Sequence, residues 1–139
     1  MVKPEIVRRK ISLAAYRLDK AAGLLSQPPE EFLADEAQQD LASFSLFLAI
    51  QKCIDLAAHW ISDEGWAPPQ ETASLFDVLA DHQAIERTLA VGLRRAVALR
   101  NRIAHGYSSV DHERIQAEYQ TGIADLRRFL ALVANEAGL

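Results

Sequence analysis

Apolar residues return every third or fourth position through most of this chain, and a few polar, glycine or proline clusters interrupt them. Val7, Ile11, Ala14, Leu18, Ala21 and Leu25 form one stripe, which predicts a helix over 4–25. Pro28-Pro29 breaks it, and Pro29 suits the first turn of a short helix ending at Leu33. A second long helix is predicted over 35–62. It carries one stripe of Leu41, Phe44, Leu48 and Leu56, and another of Leu46, Phe47, Ile50, Cys53, Ile54, Ala57 and Ile61. A helix apolar on two sides belongs at the centre of a bundle or at a subunit interface. Residues 62–72 read as a loop in which Trp66 packs back on the bundle, and Thr72 is a candidate N-cap for a short helix over 72–79.

The pattern resumes over 82–105 with Ile85, Leu89, Val91, Leu93, Ala96, Val97, Leu99 and Ile103, and Gly106 follows as a left-handed stop. Asp111 or Ser109 caps a last helix whose stripe is Ile115, Tyr119, Ile123, Leu126, Leu130 and Val133. Gly92 and Gly122 fall inside these stretches. No sustained alternation competes, so the expected fold is all-α: an up-and-down bundle of four main helices plus short ones, in a single domain spanning 1–139.

Composition narrows the picture. A length of 139 residues, half of them hydrophobic and 24% charged, suits one globular core. No apolar run reads as a bilayer span, and the N-terminus lacks the apolar core of a signal peptide, so a cytoplasmic protein without a membrane role is expected. One cysteine excludes an internal disulfide and a cysteine-based zinc site. The net charge of −4 argues against broad coating of nucleic acid and confines any such contact to a local basic cluster.

That cluster is Arg100-Asn101-Arg102-Ile103-Ala104-His105-Gly106-Tyr107. Asn101 and His105 stand one helical turn apart on one face. Arg100 is five residues from His105, about 140° around an ideal helix. Either its long stem reaches around, or a second subunit completes the site. A histidine moves protons near neutral pH, and the guanidinium groups of Arg100 and Arg102 can hold a phosphate. Those parts suffice to cleave RNA without a metal, because the ribose 2′-hydroxyl is an internal nucleophile. The plainer alternative is a histidine capping its helix end.

The spacing R-N-x-x-x-H-x-Y resembles the signature of the HEPN superfamily, and specifically its HepT branch. The wider order agrees: an N-terminal helix, Phe32-Leu33-Ala34-Asp35, Ile50-Gln51-Lys52-Cys53-Ile54-Asp55-Leu56-Ala57, the motif, and a final helix. The resemblance covers essentially the whole chain. It implies a HEPN-type bundle and a type VII toxin, a metal-independent endoribonuclease acting on transfer or messenger RNA without a cofactor. It further implies a homodimer with Arg100 and His105 of both subunits lining a shared cleft, and Asn101 as a motif member. The partner it implies is an MntA-like nucleotidyltransferase antitoxin that adds AMP to Tyr107. Bulk and negative charge placed there would block an RNA phosphate.

Other candidates are weaker. An acidic residue at the place of Asp55 is typical of the family pattern, so Asp55 is expected either to orient the motif or to form a buried structural pair with His59, one turn away. Arg102 stands at a variable position and is assigned on charge alone. Arg8-Arg9-Lys10 and Arg94-Arg95 extend the basic surface or are simply solvated. The remaining histidines form no metal signature. Two competing functions stand beside the toxin: a non-catalytic HEPN module that binds nucleotide or a nucleotidyltransferase, and a purely structural helical dimer.

Overall fold

Each helix begins and ends where the sequence supplies a chemical reason. In the computed structural model, which describes residues 3–106 and 110–139, α1 (Pro4–Leu25) and α2 (Pro29–Leu33) both open on a proline. Proline has no N–H to leave unsatisfied there, and its φ is already helical. Helix α3 (Glu36–Asp63) is capped by Asp35, whose carboxylate accepts from the Gln38 N–H at 3.2 Å. It stops at Gly65, whose φ of 73° lets the Trp66 N–H reach back to the Ile61 carbonyl at 3.1 Å. Helix α6 (His112–Glu136) is capped by Asp111, which accepts from the Arg114 N–H at 3.1 Å. Ser109, the other candidate cap, lies outside the described residues.

Three boundaries differ from expectation. Thr72 does not cap a helix: it is the first residue of a 3-10 turn (Thr72–Ser74), flanked by Glu71, that runs into α4 (Leu75–Asp81). Helix α5 (Arg87–His105) starts five residues later than the pattern suggested. Residues 82–86 are instead used to terminate α4. Gln83 takes a left-handed φ of 61°, and the Ala84 N–H closes on the Leu79 carbonyl at 2.9 Å. Gly106 is not left-handed either. Its φ of 167° is extended backbone open to any residue, and its N–H bonds the Arg102 carbonyl at 3.2 Å.

The four long helices α1, α3, α5 and α6, with short α2 and α4, form the expected all-α bundle, and the described residues include no strand. Helix α3 packs against every other α-helix, as its two-sided apolar pattern implied. Leu46, Ile50, Cys53, Ile54, Ala57 and Ile61 are buried, while Phe47 is half-buried. The other stripe divides: Leu56 is buried, but Leu41 and Phe44 are exposed. By length and composition α3 could cross a membrane, contrary to the expectation that no segment could. In this fold most of its apolar residues serve the core. Phe32, Phe76 and Phe129 are the largest fully buried side chains, and Phe76 meets Phe129 edge-on at 5.2 Å between centroids.

Helices α5 and α6 approach closely at Gly92, where a Cβ would stand 2.1 Å from Asp125 Oδ2. Between them lies a cavity of about 760 Å³ that extends to Arg102 on α5 and to Asp111 at the start of α6. Among the described motif residues, Arg102 lines this gap.

Candidate active site

Arg100, Asn101, Arg102 and His105 all lie in the last turns of α5. Val97 and Ile103 on the same helix are buried in the bundle and fix its rotation. That rotation sends the motif residues different ways. Arg100 is half-buried and turned toward α3, whereas His105 and Arg102 are exposed. The long stem of Arg100 does not reach around to His105.

It goes instead to Gln51 on α3. Arg100 Nε and Nη2 donate to Gln51 Oε1 at 3.1 and 2.7 Å, and Nη1 donates to Asn101 Oδ1 at 2.6 Å. The guanidinium carbon stands 5.8 Å from the centroid of the Phe47 ring, within cation–π range. Gln51 Nε2 donates in turn to Asp55 Oδ1 at 3.0 Å, and Asp55 Oδ2 lies 3.7 Å from Lys10 Nζ on α1. One polar chain thus runs from α1 through α3 to the motif arginine. Asp55 is linked to Arg100 through Gln51. His59, its expected partner, is not among its hydrogen-bond or ion-pair partners.

Gln51 is the residue that sequence reasoning passed over. It lies 49 positions from Arg100, and no local pattern connects the two. The available hint was its spacing from Asp55: two polar side chains one turn apart on an otherwise apolar helix.

Arg102 lines the α5–α6 cavity with Arg95, Arg114, Tyr119 and Asp125. Arg114 is paired with Glu118 at 3.3 Å. Burial pushes the Asp125 carboxyl above the usual carboxylate range, partly offset by the attraction of Arg95. Arg94 is drawn away to Asp77 at 2.6 Å, so the Arg94-Arg95 pair does not act as one patch. Among the described residues, no three His, Cys, Asp or Glu side chains gather as metal ligands. Tyr107, the expected modification site, lies outside the described residues.

The arrangement holds one guanidinium against α3 and leaves an imidazole exposed five residues further along α5. The family model described as ribonuclease HepT-like matches residues 16–133. The chain belongs to the ribonuclease HepT-like family. It is 26% identical over 106 residues to the mRNA nuclease HepT of Shewanella oneidensis, covering 76% of this chain and 80% of that protein. Its fold superposes with a TM-score of 0.87 on a crystal structure of a toxin–antitoxin with AMP-PNP, at 22% identity, over 94% of this chain and 98% of the other. It also superposes with a TM-score of 0.82 on the tri-AMPylated Shewanella oneidensis HEPN toxin in complex with its MNT antitoxin. That match is 22% identical and covers 94% and 97% of the two chains. The HepT resemblance read from the motif is therefore correct, and the expected ribonuclease activity is that of the family.

Proposed function

We propose that this chain is the toxin of a toxin–antitoxin pair: a metal-independent endoribonuclease whose site joins Arg100 of one copy to His105 of a second. The observation that carries this is the divergence within one copy, Arg100 clasped against α3 and His105 exposed on another side of α5. A second copy, docked so that two α5 ends face each other, supplies the missing partner to each.

In such a cleft the ribose 2′-oxygen attacks the adjacent phosphorus as an imidazole accepts its proton. The P–O5′ bond breaks and the 5′-oxygen takes a proton from the imidazolium or from water, giving a 2′,3′-cyclic phosphate and a 5′-hydroxyl. Arg100 stabilises the charge on the pentacoordinate phosphorus, and Asn101 holds Arg100 from its own helix. Arg102, exposed on the next turn, adds charge for a neighbouring phosphate. Messenger RNA is the first substrate to test, since a similar protein is named an mRNA nuclease. The reading places the protein in the cytoplasm beside an MntA-like nucleotidyltransferase, which silences it by attaching AMP to Tyr107. The AMPylated toxin–antitoxin complex of similar fold supports that partner.

The test uses purified, unmodified protein and an RNA pool. His105→Ala should lower cleavage by about 100-fold or more and leave the circular dichroism unchanged, because the side chain is exposed. Incubation with the nucleotidyltransferase and ATP should add whole AMP units to wild type and stop cleavage, while Tyr107→Phe should stay unmodified and active. If wild-type protein confirmed free of AMP cleaves no RNA yet binds the nucleotidyltransferase tightly, the role is recognition and the ribonuclease reading fails.

A further inference from the structure

The contact that holds Arg100 is unusual in its charge. A guanidinium has five N–H donors, and among the described residues three are engaged, two of them by the single oxygen Gln51 Oε1 and one by Asn101 Oδ1. Both acceptors are neutral amides. A carboxylate at position 51 would hold the same donors but would also neutralise the cation, and the phosphate would then compete with it. An amide fixes the plane of the guanidinium and leaves its full charge, with two N–H groups, for an anion.

Gln51 can do this only if its oxygen faces Arg100. Its nitrogen is claimed by Asp55 at 3.0 Å, and Asp55 is itself held by Lys10 at 3.7 Å. Turning the amide over would set N–H against guanidinium and oxygen against carboxylate, two repulsive contacts in place of two attractive ones. The Phe47 ring closes another side of the guanidinium. The anionic Asp55 is one residue removed from Arg100 and is balanced by Lys10.

We propose that Gln51 is the positioning residue of the site: a neutral clasp that aims the Arg100 guanidinium at the scissile phosphate without consuming its charge, its own amide oriented by Asp55 and Lys10. The inference rests on the role given to Arg100 above.

The experiment compares kcat, KM and thermal midpoint on one RNA substrate for wild type and three variants. Gln51→Met keeps length and removes both polar atoms; kcat should fall about 10- to 100-fold with KM nearly unchanged. The double variant Gln51→Glu with Asp55→Asn restores an oxygen toward Arg100 and a donor behind it, but pairs the cation. Here the orientation returns but the charge does not, so kcat should recover only in part and stay below wild type while KM rises several-fold. Wild-type kcat in Gln51→Met would overturn the proposal. So would losses in both variants that vanish once corrected for the folded fraction, since a merely structural role predicts that result. Arg100→Ala separates the two layers. If it cleaves like wild type, the assignment of the site fails; if it is inactive while Gln51→Met is normal, only the positioning role fails.

Discussion

Arg100 and His105 show how five residues of helix decide what a site can be. They stand about 140° apart around α5, and the burial of Val97 and Ile103 fixes which way each one faces. Cys53 shows the opposite case, a reactive side chain that the fold takes out of play. It is fully buried, and desolvation pushes its thiol up to about 12. Because the thiolate is the nucleophile, native protein at pH 8 should resist iodoacetamide for hours and react fully in denaturant. Rapid labelling of the native state would contradict this placement. The residue scale was also where the sequence was most and least informative. Spacing along one helix singles out Arg100, Asn101 and His105 as candidates. Gln51 does not, because the contact that matters spans α3 and α5 and depends on how the two helices are rotated against each other. Pairing Asp55 with His59 failed for a similar reason: one helical turn brings two side chains near, but Gln51 and Lys10 offered the better-matched donors.

Among elements, those with proline or Asp at their starts were legible almost to the residue, as in α1, α2 and α3. These residues act within one turn, so local sequence suffices. The start of α5 was not legible, because Ile85 continues an apolar rhythm although it belongs to the turn that ends α4. That turn stores a small strain. Gln83 holds a left-handed φ of 61° with a side chain that disfavours it. Gln83→Gly should relieve about 1 kcal/mol and raise the thermal midpoint by about 3 °C for a chain of this size. A lowered midpoint would mean that contacts of the Gln83 side chain outweigh the backbone strain. Helix α3 adds a different lesson. Its composition passes for a membrane span, and only its packing against all the other α-helices shows where its apolar residues go.

For the whole molecule, the bundle accounts for the core but leaves the motif divided. Periodicity could give the number of long helices and their order. It could not give the cavity of about 760 Å³ between α5 and α6, which Gly92 and Asp125 both line. Nor could it show that Arg100 is already occupied from within its own copy. The second of these leads to the proposal of a site at the end of α5 shared between two copies. The direct test is complementation. Arg100→Ala and His105→Ala chains carrying different tags are co-expressed, and the mixed species is isolated by both tags and assayed on RNA. The account predicts that each variant alone is inactive, while the mixed dimer, which retains one intact Arg100–His105 pair across its interface, cleaves at about half the wild-type rate per dimer. A mixed dimer as inactive as its parents would contradict a site shared in this way.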